Sequence, residues 1–248
     1  MLSSTRRQLS KSKTLGLLAT LGIYNDPAST IYIPADQATV FDKDIICSAL
    51  DIKEPPEGLY ESITRSSTGA VIFWGEQHKY LVLPPFPISF EGTLKGYHVG
   101  PLRAFLVTDY TIALVLIRLG TYAIGIFKGE RLLSSKVGKG LVHSRHRKGG
   151  SSARRFERHR DKQIEILFTR VCNHVREKLQ PYVYEINYLI YGGERNTINS
   201  FRKQCDFLKK VDNRTVEHLL NIREPGQASL EASIEEAWSS TVLQWTAG

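Results

Sequence analysis

Residues 136–162 read KVGKGLVHSRHRKGGSSARRFERHRDK, and they decide how the rest of the chain is laid out. The stretch opens as the end of a strand, turns at Gly149-Gly150 inside a dense group of Arg, Lys and His, and closes as the start of a long helix. Ten of its residues are Lys or Arg and only Glu157 and Asp161 are acidic, so it carries +8. The whole chain of 248 residues also carries +8, and everything outside the stretch therefore sums to zero. Charge gathered in one place rather than spread over the surface is the electrostatic footprint of a polyanion binder. A solvated basic helix face would account for the helical half alone, but not for a Gly-Gly turn set among the cations.

On the carboxyl-terminal side, Phe156, Ile164, Leu167, Phe168, Val171, Cys172, Val175 and Leu179 recur at spacings of three and four. That spacing predicts a helix with one apolar stripe, capped by Ser151 or Ser152 and stopped by Pro181. Arg154, Arg155, Arg158 and Lys162 fall on the other face, where they stay in water. On the amino-terminal side, the pattern predicts strands at 105–108, 111–119, 121–128 and 131–138, the middle two forming a hairpin. Residues 110–127, YTIALVLIRLGTYAIGIF, are apolar enough to raise a membrane span, but Arg118 and the Leu-Gly-Thr break fit two buried strands and a turn. After the helix, YEINYLIY at 184–191 alternates as a strand and Gly192-Gly193-Glu194-Arg195 reads as a strand-to-helix turn. Helices are expected at 195–210, 213–221 and 228–240, with an edge strand at 241–245.

Residues 1–104 read as a smaller, mostly β region of unknown role. Short strands are expected around 31–35 and within 69–90, a helix over Lys43–Leu50, and the sheet should end at Pro84, Pro85 and Pro87. The basic and then apolar start of the chain is interrupted by Gly16 and Gly22 and reads as structure, not as a signal peptide. The whole pattern is α/β in the layered α+β sense, with a mixed sheet in a second domain over residues 105–248. A hydrophobic share of 42% and a charged share of 23% suit a globular chain of one large or two modest domains. Cys47, Cys172 and Cys205 are odd in number and widely spaced, which predicts neither a disulfide framework nor a zinc site and makes a reducing, cytoplasmic compartment the default.

The segment HSRHRKGGSSARRFERHRDKQIEILFTRVCNHV resembles the catalytic loop and following helix of archaeal and eukaryotic class I peptide release factors. In size and layout the chain is similar to the Vms-like release factors, and the resemblance covers roughly residues 105–245. It implies an RNase H-like mixed sheet with flanking helices, carrying a basic loop over 139–153 into the peptidyl-transferase centre. It also implies the ribosomal large subunit and the acceptor end of peptidyl-tRNA as partners, no cofactor and no membrane. The activity implied is peptidyl-tRNA hydrolysis in translation termination or ribosome rescue. On this reading Gly149, Gly150, Ser151 and Ser152 form the catalytic segment, while His143, Arg145, His146, Arg147, Lys148, Arg154, Arg155, Arg158 and Lys162 bind RNA.

The physical chemistry of the residues agrees with these roles. Two glycines allow backbone N–H groups to approach a developing oxyanion closely, and the cations neutralise phosphates. One position departs from the family, which carries a Gln directly after Gly-Gly or in a Gly-x-x-Gln version of the loop. Here Ser151, Ser152 and Ala153 follow, and the next Gln is Gln163, about three helical turns on. The alternatives are a binding factor that has lost catalysis, acid–base chemistry by His143, His146 or His159, and a metal nuclease using Asp109 and Glu185. Trp74 and His78 in FWGEQHKY read as a packed aromatic hairpin.

Overall fold

The computed structural model describes residues 2–143 and 151–247. In chain order the elements are β1 (Leu2–Leu9), α1 (Lys11–Leu21), β2 (Ala28–Ile33), α2 (Ala35–Ala38), α3 (Lys43–Leu50), α4 (Leu59–Thr64), β3 (Ala70–Gly75), β4 (Lys79–Leu83), β5 (Gly92–Lys95) and α5 (Gly100–Val107). There follow β6 (Thr111–Arg118), β7 (Thr121–Lys128), β8 (Arg131–Lys139), α6 (Ser151–Leu179), β9 (Ile186–Gly193), α7 (Arg195–Gln204), α8 (Gln227–Ala237) and β10 (Ser240–Ala247). They divide into one compact unit of residues 1–108 with 235–248, and a second of residues 109–234.

The first unit is an antiparallel sheet in the order β1-β10-β4-β3-β2-β5. Successive side chains of a strand leave opposite faces, so β3, AVIFWG, serves two cores at once. Ile72 and Trp74 join Ile31, Leu81 and Trp245 against Ile46 and Leu50 of α3 and Leu59 and Ile63 of α4. Val71 and Phe73 join Tyr32 and Val82 against Leu18 and Leu21 of α1 and Leu102 and Leu106 of α5. Trp74 is buried, and its ring lies 5.8 Å from that of Trp245 on β10, outside the β3–β4 hairpin.

The second unit holds a mixed sheet in the order β8-β7-β6-β9, in which the first three strands are antiparallel and β9 runs parallel to β6. The long crossover between β8 and β9 is α6, whose Leu167, Phe168, Val171, Val175 and Leu179 pack on Tyr122, Ile124 and Ile126 of β7 and on α7.

Several sequence expectations are corrected. Residues 105–108 close helix α5 instead of forming a strand, because Pro101 starts a helix whose Leu102 and Leu106, four apart, enter one core. Residues 241–245 belong to β10, which lies inside the first unit's sheet between β1 and β4 and not at an edge. The chain thus returns to the sheet that it began, and residues 235–248 group with 1–108 instead of with 105–234. The helix expected at 195–210 ends at Gln204 and continues as short 3-10 turns. Residues 213–221 are not a helix either, since Thr215 and Leu220 bridge to Leu189 and Gly192 of β9. Ser151 and Ser152 both lie within α6, so neither takes the cap position expected there.

Cys172 of α6 and Cys205, the residue that ends α7, form a disulfide with a Cα–Cα distance of 5.4 Å. They stand 33 residues apart without any motif to pair them, and the packing of two helices brings them together. The cysteine pattern therefore gives no support to a reducing compartment. No helix among the described residues is long and apolar enough to cross a membrane.

Candidate nucleic-acid interface

The interface is built where β8 hands over to α6. Gly138 near the end of β8 and Gly140 just beyond it let the Tyr122 side chain and α6 approach the strand. A Cβ at Gly138 would run into the Tyr122 hydroxyl, and one at Gly140 would come within 2.7 Å of Leu167 Cδ1. Two contacts then tie the departing chain to the helix. The His143 backbone N–H donates to Gln163 Oε1 at 3.1 Å, and Arg160 Nε donates to the His143 carbonyl at 3.0 Å. A third lies about two turns beyond Gln163, where Arg170 donates to the Lys139 carbonyl at 2.9 Å. These three bonds fix the direction in which the chain enters the basic segment.

Arg154, Arg155, Arg158 and Lys162 are all exposed. At 100° per residue, Arg155, Arg158 and Lys162 share one face of α6, and Arg154 flanks them one turn before Arg158. Residues 154–159 are exposed on every side, so the first turns of α6 stand clear of the sheet. Phe156, assigned by its spacing to the apolar stripe, is accordingly 53% exposed, and the buried stripe begins further along. The helix amino terminus adds partial positive charge to the cations around it.

Of the remaining expected site residues, Arg145, His146, Arg147, Lys148, Gly149 and Gly150 lie outside the described residues. Ser151 and Ser152 form the first turn of α6 by their backbone. His143 and His159 are brought near each other, with ring centroids 6.1 Å apart, and no hydrogen bond joins the two rings. Asp109 and Glu185 precede the neighbouring parallel strands β6 and β9 and so stand at the same end of the sheet. Among the described residues no group of three or more His, Cys, Asp or Glu is placed to hold a metal ion. Gly192-Gly193 ends β9 and Glu194 immediately precedes α7, as expected of a strand-to-helix turn.

The roles of Arg160 and Gln163 were not visible in the sequence. Arg160 was one more cation in a basic run, and Gln163 stood apart from the loop motif. Their partner is the backbone of a residue 17 or 20 positions away, which has no sequence signal.

The chain is similar to known translation factors. Peptide chain release factor subunit 1 of Picrophilus torridus is 26% identical over 199 residues, covering 76% of this chain and 46% of that protein. The same subunit of Saccharolobus solfataricus is 24% identical over 179 residues, 68% of this chain and 48% of that protein. The chain therefore spans about half the length of these relatives. Among solved structures it aligns with the archaeal translation termination factor aRF1 at a TM-score of 0.41 and 18% identity, over 92% of this chain and 72% of that one. It also aligns with the Vms1 mitochondrial localization core at a TM-score of 0.43 and 14% identity, over 79% and 88% of the two chains. Residues 110–243, which contain β6 to α8 and the basic segment, match the model of the Actinobacteria/chloroflexi VLRF1 release factors, and the chain belongs to that family.

Proposed function

We propose that this protein acts on the ribosome in translation termination or in the rescue of stalled ribosomes, where the Gly149-Gly150 segment meets the acceptor end of peptidyl-tRNA on the large subunit. A cytoplasmic location goes with that role. The observation that carries the reading is the joining of a release-factor family match to a helix α6 whose Arg154, Arg155, Arg158 and Lys162 are exposed. A basic segment whose stem is bonded to a helix enters RNA in a set direction, and its Arg and Lys side chains replace the counterions of the phosphates.

The proposed reaction is attack of a water oxygen on the ester carbonyl that joins peptide to tRNA. The C–O bond to the ribose breaks, the ribose oxygen takes up a proton, and the peptide leaves as a carboxylic acid. Backbone N–H groups at Gly149 to Ser151 would stabilise the oxyanion, and the Ser151 hydroxyl would hold the water. Gln163 is not available for that task, since its side-chain oxygen already accepts from His143. The lack of a Gln after Gly-Gly favours a second reading, a factor that binds without cleaving.

Peptidyl-tRNA carrying a labelled peptide on large subunits tests both readings. The proposal predicts free peptide and a tRNA whose 3′ end is intact. A tRNA shortened at its 3′ end would assign cleavage to a phosphodiester instead, and binding without product would assign the non-cleaving role.

A further inference from the structure

The cations of this unit do not stop at Lys162. On the flank of α6 that faces β8, Arg170 and His174 are spaced four apart and bound a shallow cleft of about 480 Å³ together with Lys162 and Asn173. Lys136 of β8 pairs with Ile124 and Gly138 pairs with Tyr122, so Lys136 and the Tyr122 ring leave the same face of the sheet toward this flank. Tyr122 reaches across Gly138, and its hydroxyl meets His174 Nδ1 at 2.7 Å. Only a residue without a side chain at 138 leaves room for that path.

In the tautomer where Tyr122 donates to Nδ1, the His174 proton sits on Nε2 and is free to be donated. Arg170 spends one N–H on the Lys139 carbonyl and keeps the other donors of its guanidinium. Acids are also present, since Glu165 lines the cleft and Glu177 lies one turn beyond Asn173. Both glutamates are exposed side chains on a helix and can turn into solvent, whereas Arg170 and His174 are held by their bonds.

We propose that Lys136, Arg170, Asn173 and His174 form a second phosphate site, which holds the RNA backbone away from the Gly-Gly segment and sets the angle at which α6 lies on the RNA. Arg158 and Arg170 are twelve residues apart, about 18 Å along the helix, so one RNA can engage both sites at once. Lys162 lines the cleft and also shares a face with Arg155 and Arg158, so one helix carries the cations of both sites across a gap at Glu165, Ile166 and Thr169, which favours RNA over an acidic protein as the ligand. The site rests on the reading of this protein as an RNA binder, and the experiment separates failure of the two.

The probe is a fluorescein-labelled RNA hairpin with a CCA end, followed by anisotropy across a salt series. The Lys136→Gln/Arg170→Gln double variant should bind roughly 30-fold more weakly near 0.1 M salt, with the salt slope lower by roughly 1.5 to 2. Tyr122→Phe should weaken binding a few-fold. The 15N signal of His174 should shift on RNA addition in the wild type and not in the double variant. An unchanged double variant beside a weakened Arg154→Gln/Arg155→Gln/Arg158→Gln variant would remove this site and leave the RNA reading standing. A wild type with no RNA affinity would remove both. Displacement of the RNA by a polyglutamate peptide at lower concentration than by unlabelled hairpin would assign the cleft to an acidic protein and overturn the proposal. If the double variant melts early, Lys136→Gln alone carries the test, with an expected slope change of about one.

Discussion

Neutralising the amino-terminal turns of α6 has a magnitude that follows from the positions of three side chains. Arg154, Arg155 and Arg158 are exposed and sit on a part of the helix that stands clear of the sheet. Exposed substitutions away from packing change stability by about 0.5 kcal/mol or less, so an Arg154→Gln/Arg155→Gln/Arg158→Gln protein should melt close to the wild type. Each phosphate contact contributes about 0.9 to the slope of log affinity against log salt, and three contacts give about 2.7. Relative to 1 M salt, that slope amounts to about 500-fold in affinity at 0.1 M. Between 50 and 200 mM the gap between variant and wild type should narrow by about 40-fold. Salt titrations of both proteins against labelled RNA, or sedimentation with large subunits, read these numbers. A variant with the wild-type slope and affinity would show that these arginines do not touch phosphate, and the assignment of the basic stretch would be withdrawn.

Two further predictions concern the packing behind the interface. Gly138→Ala places a Cβ where the Tyr122 hydroxyl lies, and overpacking of this kind should cost about 1–3 kcal/mol in urea denaturation; an unchanged midpoint would mean that Tyr122 does not cross β8. The His174 imidazole is held neutral by burial first and then by Lys136, with Glu177 opposing and Arg170 and Lys178 adding to the effect. A histidine with a depressed pKa stabilises the fold above its unfolded value of about 6.5, and that contribution is lost as the pH falls below it. The urea midpoint of the wild type should therefore drop more between pH 7.5 and pH 5 than that of His174→Gln, and equal drops would contradict the argument.

The second unit was the more legible half of the chain. Its hairpin is an apolar run broken at Leu119-Gly120, and its long helix repeats apolar residues over many turns, so local pattern and tertiary packing agree. Phe156 misled because a stripe shows only periodicity, and nothing in the sequence marks where the helix overhangs the sheet. In the first unit, β10 could be recognised as a strand but not placed, since its neighbours β1 and β4 come from residues far earlier in the chain. The short apolar run of α5 suits strand and helix alike until Pro101 is given weight. The basic segment was legible as a site by charge and composition, whereas its stem bonds from Arg160, Gln163 and Arg170 depend on backbone partners that only folding provides.

Whether the Gly-Gly segment is where peptidyl-tRNA is cleaved is read from peptide release by three proteins. Wild type, Gly150→Ala and Ser151→Gln are each given peptidyl-tRNA on large subunits, and the rate of peptide release is measured. Cleavage at the Gly-Gly segment requires release by the wild type, loss of release in Gly150→Ala because a Cβ restricts the turn and blocks approach to the tRNA end, and equal or faster release in Ser151→Gln. Release by Gly150→Ala at the wild-type rate would contradict it and place the chemistry elsewhere in the protein.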